Sequence, residues 1–391
     1  MLKIAVVTRY FPSSAEPWQG RSAYQTLRVL AREEADVRVF FPNATYPSFL
    51  RPRSRIYDKL DASFSPPEVK VSYHDYPALP LISRPFNGQV AARVLLPHVR
   101  KFAPDIIFSI FLYPDGYAAL QIGKALSVPV VAMGIGSDIN GIADFISARH
   151  TRALLREVDF LVTVSDDLRK KAVLMGAPPE KTLAILNGCD LSVFHVRDRV
   201  EARDKLHIDQ RSQAVVYIGR MDLKKGLREL VEAAAAMKPQ RPELQVYIVG
   251  AGPDRPLIEE AIQTNNAGDY VHALPSCAPD EVAIWMAAAD VVTLPSYMEG
   301  CPNVVLEALA CGRPVVAANV GGIPEIMSDA CGRLVPPRDS AALAHALASV
   351  LDTTWDAAAL SAHWSRSWST VAAELRDVLE SVAPKRQDLR V

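Results

Sequence analysis

Short apolar segments alternate with amphipathic segments along the first half of the chain. The apolar segments, which have the character of buried strands, are Leu2–Val7, Val37–Phe41, Val69–Tyr73, Asp105–Phe111, Pro129–Met133, Phe160–Val164 and Leu183–Leu186. The amphipathic segments between them have a helical period and include Ser22–Arg32, Gly88–Lys101, Tyr117–Ala125 and Asp166–Leu174. Strands separated by helices predict βαβ units, and therefore a parallel sheet.

The same alternation restarts after the charged stretch Arg197–Arg203, which lacks an apolar period. The strands predicted there are Val215–Ile218, Leu244–Val249, Val291–Leu294 and Val315–Ala317. The helices predicted there are Gly226–Met237, Pro256–Gln263, Glu281–Ala288, Val304–Ala310 and Ala341–Val350. We therefore predict an α/β chain of two Rossmann-like domains, residues 1–195 and 196–365. The final segment, 366–391, contains the amphipathic helix Trp368–Val382.

Length and composition agree with two globular domains. The chain has 391 residues, of which 49% are hydrophobic and 22% are charged. Its apolar runs fall short of the roughly 20 residues that span a bilayer, and Ile4–Val7 is too short for a signal peptide. The five cysteines form no C-x-x-C pair, so we expect neither a zinc site nor a disulfide framework, and we favour a reducing cytoplasm.

The net charge of −1 is unevenly distributed. Residues 1–190 carry 23 Lys/Arg against 18 Asp/Glu, and the remainder carries the acidic excess. Within the long Pro- and Ser-rich excursion 43–67, arginines are interleaved with apolar side chains at Phe49–Lys59. We favour an ordinary solvated loop there, with peripheral contact to a membrane surface as the alternative. The chain has no strong overall positive field, so nucleic acid is not an expected partner.

The stretch from Pro295 to Met327 holds the densest group of candidate site residues. It reads PSYMEGCPNVVLEALACGRPVVAANVGGIPEIM. Asn303 is predicted to cap a helix that stops at Gly312. Glu299 then lies on the loop at the carboxyl end of a strand, where open α/β sheets bind ligands, and Glu307 lies on the helix. The first amides of that helix would point at an anion.

Two cations lie on an earlier strand-to-helix turn. Gly219-Arg220 ends the first strand of the second domain, and Lys225-Gly226 opens the next helix. Arginine supplies a fork and lysine a point charge, which together suit a diphosphate. Taken alone, these cations are equally compatible with an ordinary surface loop. The turn Gly250-Ala251-Gly252 is likewise compatible with a tight connection that has no ligand role.

Taken together, these motifs resemble the retaining glycosyltransferases of family 4, which have the GT-B fold. The match includes two carboxylates separated by seven residues, then A-L-A-C-G-R-P-V-V-A and G-G-I-P-E, with the G-R…K-G pattern about eighty residues earlier. The first domain adds stretches similar to bacterial members that make exopolysaccharide and teichuronic-type polymers. The resemblance implies two Rossmann-like domains facing across a cleft, an acceptor side in the first and nucleotide-sugar binding in the second. It also implies a last helix that crosses back to the first domain.

The resemblance also implies roles for individual residues. In the family the first glutamate contacts hydroxyls of the donor sugar and the second contacts the ribose, which assigns these roles to Glu299 and Glu307. Arg220 and Lys225 would hold the diphosphate. The other positions at which the family approaches its donor are Gly20, Gly219, Gly250, Leu274, Ser276, Asn303 and Val304. Pro302 has no N–H, so an amide contact at that position is lost.

The first domain departs from the family pattern in places. The family usually carries two glycines where this chain has Gln19-Gly20. Tyr113-Pro114-Asp115-Gly116 and Gly136-Ser137-Asp138-Ile139-Asn140 both follow predicted strands. Asp138 is the first-domain candidate to face the sugar or acceptor, and its alternative role is the N-cap of a helix starting near Ile142.

The resemblance implies an enzyme that moves a hexosyl group from a nucleotide sugar to a hydroxyl, with retention, in cell-surface polysaccharide synthesis. Its catalytic candidates are Glu299, Arg220, Lys225 and Asp138. A nucleotide-sugar epimerase and a non-catalytic nucleotide-sugar-binding protein stay open as alternatives. A nicotinamide-dependent oxidoreductase would need G-x-G-x-x-G after the first strand, which Arg9-Tyr10-Phe11-Pro12 does not supply.

The expected partners follow from the same resemblance. The donor is expected to be a UDP-sugar, with a GDP-sugar as the alternative, and the acceptor a glycan or a lipid-linked glycan. No cofactor or metal is expected, because cationic side chains and a helix N-terminus can neutralise the diphosphate. The expected location is the cytoplasm, extended to peripheral contact with the inner membrane face if Phe49–Lys59 binds lipid.

Overall fold

The chain divides into two compact units. The computed structural model describes residues 1–32, 35–47, 49, 60–80, 82–141 and 144–384, so most of Phe49–Lys59 lies outside the described residues. Unit 1 comprises Met1–Asn187 and the segment that begins at Trp368, and unit 2 comprises Gly188–Ser367. The sequence placed these boundaries after residues 195 and 365. Cys189 N–H donates to the Arg366 carbonyl (2.9 Å), so the two chain ends of unit 2 lie side by side.

Unit 1 is built on a parallel sheet. Within the described residues its strands are β1 (Lys3–Val7), β2 (Asp36–Thr45), β3 (Lys70–Pro77), β4 (Ile106–Ile110), β5 (Val130–Gly134), β6 (Phe160–Thr163) and β7 (Thr182–Ala184). Their order across the sheet is β3-β2-β1-β4-β5-β6-β7. The central strands β4 and β5 are buried along their whole length and apolar except for Ser109, as parallel strands covered on both faces are. β2 runs past the predicted end at Phe41, because Pro42–Thr45 pair with β3.

The helices of unit 1 fill the connections between these strands. In the described part of the unit they are α1 (Arg21–Arg32), α2 (Asn87–Phe102), α3 (Tyr117–Leu126), α4 (Ser137–Asn140), α5 (Phe145–Glu157) and α6 (Asp166–Leu174). The helix Trp368–Val382 packs against α1 and buries Val371, Leu375 and Leu379. The final helix therefore completes the core of unit 1.

Unit 2 contains a second parallel sheet. Its strands are β8 (Gln213–Ile218), β9 (Leu244–Val249), β10 (Val271–Leu274), β11 (Val291–Leu294), β12 (Val315–Ala318) and β13 (Gly332–Val335), in the order β10-β9-β8-β11-β12-β13. Its helices, as far as the structure describes the unit, are α7 (Arg199–Leu206), α8 (Leu227–Met237), α9 (Arg255–Thr264), α10 (Pro279–Ala288), α11 (Asn303–Ala310), α12 (Ser340–Leu351) and α13 (Ala357–His363). The helix Trp368–Val382 of unit 1 is accordingly α14. The prediction of an α/β chain with two Rossmann-like domains is confirmed.

A helix begins within the charged stretch Arg197–Arg203, although its sequence lacks an apolar period. This helix is α7, and the Asp198 carboxylate caps it by accepting the Glu201 N–H at 2.8 Å. Arg203 is fully buried in the helix despite its charge. The hydrophobic period is absent because one of the two buried positions of this helix is held by an arginine and the other by the small Ala202. The edge strands β10 and β13 were also not predicted.

Strand order reverses once in each sheet. In unit 1 the reversal falls between β1 and β4, and in unit 2 between β8 and β11. At such a point the connections leave in opposite directions and a crevice opens at the carboxyl ends of the strands. In unit 2 this places loop 219–226 beside loop 295–302. In unit 1 it places loop 8–20 beside loop 111–116.

Candidate active site

An ion pair joins the two loops at the reversal in unit 2. Lys225 Nζ donates to Glu299 Oε1 at 2.7 Å, and the side chains are 29% and 11% exposed. These are the predicted diphosphate cation and the predicted sugar-binding carboxylate. The crevice between β8 and β11 therefore presents a cation and an anion that touch each other and remain reachable from solvent.

Glycines allow the backbones around this pair to approach closely. Gly226 has φ +70°, and a Cβ there would lie 2.0 Å from the Pro295 carbonyl oxygen. Gly321 has φ +55°, and a Cβ there would lie 1.9 Å from the Glu299 carbonyl oxygen. Both positions require glycine for φ and for space. The loops after β8, β11 and β12 are consequently packed backbone against backbone beneath the ion pair.

Tyr297 connects the loop that carries Glu299 to the loop after β8 and to helix α8 through hydrogen bonds. Its N–H donates to the Lys224 carbonyl (2.9 Å), and its hydroxyl donates to Glu229 Oε1 (2.6 Å). The Arg338 guanidinium lies 4.6 Å from the centre of its ring. Burial and the hydrogen bond to Glu229 raise the pKa of Tyr297 to about 12, so it stays a donor at neutral pH. The hydrogen bond between Tyr297 and Glu229 could not be predicted, because the two residues are 68 positions apart in sequence.

Arg220 lies on the rim of the same crevice. It is exposed, and its side chain makes no ion pair or hydrogen bond with the residues that the structure describes. Its carbonyl accepts the Tyr217 hydroxyl (2.8 Å), which fixes the backbone at the end of β8. Burial raises the pKa of Tyr217 above its usual range, and the nearby Glu299 carboxylate adds to the shift. The backbone of Arg220 is therefore fixed by a hydrogen bond, while its guanidinium group is exposed to solvent.

Helix α11 begins beside Glu299. Asn303 is its first residue rather than its predicted cap, because Pro302 takes the cap position without a side-chain hydrogen bond. The Pro302 carbonyl accepts the Val305 N–H (3.2 Å). Asn303, Val304 and Glu307 are all partly exposed. The amino end of a helix carries a partial positive charge, so this end of α11 favours an anion in the crevice.

The remaining positions of unit 2 that are predicted to contact the nucleotide-sugar donor lie at the ends of adjacent strands. Gly250 N–H donates to the Leu274 carbonyl (3.1 Å), and a Cβ on Gly250 would lie 1.8 Å from the Gly219 carbonyl oxygen. The structure thus brings Gly219, Gly250 and Leu274 together. Ser276 is exposed, beyond the end of β10.

Gly20 and Asp138 belong to unit 1. Gly20 has φ +64°, and a Cβ there would lie 2.3 Å from the Tyr10 carbonyl oxygen. The buried Asp138 carboxylate accepts N–H bonds from Leu112 (2.9 Å), Gly136 (2.8 Å) and Ile135 (3.1 Å). Burial raises its pKa, and these bonds oppose the shift. Asp138 therefore joins the loops after β4 and β5, whereas Asp144 caps α5, so the N-cap interpretation of Asp138 is wrong.

Asp115 is the carboxyl group at the strand reversal of unit 1. It is 2% exposed, and its Oδ2 accepts the Arg9 N–H at 2.6 Å. Its Oδ1 is buried and has no hydrogen-bond partner among the described residues. Burial raises the pKa of Asp115 to about 7, although Arg9 and Thr8 oppose the shift. The signal available in the sequence was Asp115 after a predicted strand, but its place at the reversal depends on strand order.

Asp115 is expected to make stability fall with rising pH. Its folded-state pKa of about 7 lies above the usual value near 3.9, so between these values the folded state binds the proton more tightly. Its contribution to the free energy of unfolding is then lost as pH rises from about 4 to about 7, by on the order of 4 kcal/mol. The measurement is the unfolding temperature of wild type and Asp115→Asn from pH 4 to 8. The advantage of wild type over the variant should shrink across this range, and a constant difference would contradict the prediction. Asp269→Asn, at an exposed position, is the control.

The described residues contain neither a candidate metal cluster nor a candidate membrane-spanning helix. In this part of the chain, His, Cys, Asp and Glu side chains do not gather in groups of three or more that could hold a metal ion. None of the helices described there is both long and apolar enough to cross a bilayer.

Family models match both units. The model described as Glycosyltransferase Family 4 matches residues 19–193, and the model described as Glycosyl transferases group 1 matches residues 212–353. A Bacillus subtilis (strain 168) protein, TuaC, named for teichuronic acid biosynthesis as a glycosyltransferase, is 28% identical over 368 residues and covers 88% of each chain. A D-inositol 3-phosphate glycosyltransferase of Rhodococcus jostii is 37% identical over 211 residues, which is 50% of this chain and 46% of that protein.

Solved structures share the fold. Sucrose-phosphate synthase from Thermosynechococcus elongatus has a TM-score of 0.80 at 23% identity and covers 97% of this chain and 99% of its own. The Anabaena protein HepE in complex with UDP-glucose has a TM-score of 0.71 at 20% identity, over 97% and 100%.

Two Rossmann-like domains of this kind in one chain are characteristic of the GT-B fold. The chain belongs to glycosyltransferase family 4 and is a glycosyltransferase.

Proposed function

We propose that this enzyme transfers a hexosyl group from a nucleotide sugar to a hydroxyl of a glycan or lipid-linked acceptor, with retention at the anomeric carbon. The observation that carries the proposal is the Lys225–Glu299 pair at the strand reversal of unit 2. A diphosphate needs a cation and a sugar needs a hydrogen-bond acceptor. This pair supplies both within one contact.

The diphosphate would lie between Arg220, Lys225 and the N-terminus of α11. Arg220 is exposed and supplies a bidentate fork, Lys225 a point charge, and the amides of Asn303 and Val304 further donors. Negative charge grows on the leaving diphosphate in the transition state, and these donors are fixed in place beforehand. The proposal requires no metal ion or cofactor for this neutralisation.

The sugar would lie against Glu299 and the ribose against Glu307. Glu299 is an acceptor held by its pair with Lys225, and its loop is anchored through Tyr297. Backbone groups at the ends of β9 and β10 would recognise the nucleobase. Gly250 approaches Gly219 closely there, and the Leu274 carbonyl lies beside them.

Retention would follow from attack on the face that the diphosphate leaves. The departing phosphate oxygen takes the proton of the acceptor hydroxyl as the new glycosidic bond forms and the bond to the diphosphate breaks. This route needs no nucleophilic side chain. A test is NMR of the sugar released from the donor by slow hydrolysis in the absence of acceptor. The donor's anomeric configuration should appear first, and the opposite anomer would refute retention.

Two relatives support the choice of donor and acceptor. The Anabaena HepE structures hold UDP and UDP-glucose, which favours UDP over GDP for this chain. TuaC, which matches over nearly the whole chain, is named for the synthesis of a cell-surface polymer, which favours a polysaccharide acceptor. We place the reaction in the cytoplasm, at the inner membrane face if the acceptor is lipid-linked.

A panel of UDP, GDP and ADP in thermal unfolding tests the nucleotide site. A ligand at about 100 times its Kd stabilises the folded state by roughly 2.7 kcal/mol, so the preferred nucleotide should raise the unfolding temperature clearly. UDP should give the largest shift, and Arg220→Ala should reduce it. Lys205→Ala, which removes an exposed cation of the same unit, should not. No shift with any nucleotide would contradict the proposed function.

A further inference from the structure

A polar cavity of about 380 Å³ lies at the end of the unit 2 sheet that is opposite to the candidate active site. Its lining includes Gln213 at the start of β8, Asp290 just before β11, and Arg313 just before β12. These are the amino ends of the parallel strands, whereas Lys225 and Glu299 follow the carboxyl ends. The cavity is therefore separate from the candidate active site.

Asp290 is the carboxylate that lines this cavity, and its charge is already matched. Its Oδ2 accepts from Arg203 (2.7 Å) and from the Ala214 N–H (2.7 Å). The other N–H groups of the fully buried Arg203 donate to the carbonyls of Ala288, Gln210 and Ser212, each at 3.0 Å. Arg203 and Asp290 thus form a closed internal pair that leaves the other cations of the cavity without a full counter-charge.

Two arginines supply the surplus positive charge. Arg199 lines the cavity and shares Asp290 through the carboxylate's other oxygen. Arg313 also lines it, and its side chain makes no hydrogen bond or ion pair with any described residue. Arg211 at the mouth is offset by Asp209 at 3.5 Å. The excess charge of the cavity therefore resides on Arg199 and Arg313.

Arg313 is a partly buried cation with no ion-pair partner in direct contact among the described residues. Its Nε is buried without a hydrogen-bond partner. Burial, and then the charge of Arg199, lower the pKa of Arg313 from its usual value, and the Asp290 carboxylate opposes this shift only in part. Holding two guanidinium groups near each other costs free energy, and a shared anion would relieve it.

We propose that this cavity binds the phosphate group of a small phosphomonoester. Arginine forks match phosphate oxygens in pairs, and Arg199 and Arg313 present two such forks. Thr354 adds a hydroxyl to the lining, whereas the Thr353 hydroxyl donates to the Ser349 carbonyl (2.8 Å). Trp355 adds an apolar surface beside them. The cavity volume lies in the range of small-molecule sites, so it holds a phosphate and a short organic group.

The test is titration of the whole protein with inorganic phosphate and with glycerol 3-phosphate at constant ionic strength, followed by calorimetry. Wild type should show saturable binding that is tighter for glycerol 3-phosphate. Arg313→Gln removes the charge and retains a polar side chain, and it should weaken the binding of both ligands at least tenfold. Lys225→Ala, which disables the proposed diphosphate site, should leave both affinities unchanged.

Three results would overturn the proposal. They are no saturable binding to wild type, equal affinity in Arg313→Gln, and loss of binding in Lys225→Ala alone, which would place the phosphate in the active site. Glycerol 3-phosphate binding no tighter than phosphate would refute the phosphomonoester as ligand. Unfolding temperatures without ligand show whether Arg313→Gln is folded. Arg199→Gln provides a second variant that should also weaken binding.

Discussion

Replacement of Lys225 by alanine is expected to lower kcat by about 10²- to 10³-fold. A donor that neutralises developing negative charge in a closed site contributes on this scale. The variant also leaves Glu299, only 11% exposed, without its cation, so the carboxylate would repel the diphosphate. UDP affinity should therefore fall as well. The measurements are steady-state transfer or donor hydrolysis, and calorimetric titration with UDP.

Lys224→Ala is the matched control for this variant. Lys224 is exposed and adjacent in sequence, and it contributes to the site through its carbonyl, which accepts the Tyr297 N–H. Alanine retains that carbonyl, so kcat and UDP affinity should stay near the wild-type values. Equal losses in the two lysine variants would mean that general positive charge, and not the contact with Glu299, supports turnover.

Glu299→Ala is expected to abolish transfer and to leave the affinity for UDP nearly intact. Hydrogen bonds to a charged acceptor contribute about 1.5–3 kcal/mol each, so two sugar hydroxyls bound by Glu299 correspond to roughly 10²- to 10⁴-fold in rate. UDP lacks the sugar and should bind about as before, since Lys225 then serves the phosphates alone. Calorimetry with UDP and with the intact UDP-sugar, together with turnover, separates these effects.

The outcome that would refute this assignment is an equal loss of UDP affinity and turnover. Glu299 would then support the nucleotide site as a whole rather than contact the sugar. Glu281→Ala, at an exposed position on α10, controls for the loss of one negative charge from unit 2. Glu299→Gln retains an acceptor for Lys225 Nζ, so it distinguishes the carboxylate's charge from its part in holding the loop.

The parallel sheets could be predicted because their central strands are almost entirely apolar. Strands such as β4 and β11 are buried on both faces, so their sequences are apolar runs, each with one small polar residue (Ser109 and Thr293), between helical segments. The edge strands β10 and β13 are short and partly exposed, and that pattern does not appear in them. Helix α7 was missed because one of its two buried positions is held by Arg203, whose burial depends on Asp290 far along the chain.

The sequence allowed us to predict which loops carry the site, but not which of their side chains contact each other. Glu299 and Lys225 follow predicted strands, and the family resemblance assigned their roles. Their pairing joins positions 74 residues apart and depends on β8 lying beside β11, which local sequence does not show. The anchoring of Tyr297 on Glu229 and the position of Asp115 depend on strand order in the same way. The roles assigned to all the site residues, Glu299 and Lys225 included, stay predictions.

The discontinuity of unit 1 bears on how the protein is made. A ribosome completes residues 188–367, and so all of unit 2, before it synthesises α14. Until α14 emerges, α1 lacks the apolar surface formed by Val371 and Leu375. The amino-terminal half, although translated first, therefore reaches its native state last, and a ribosome that stalls after residue 367 would release a nascent chain with one mature domain and one open core.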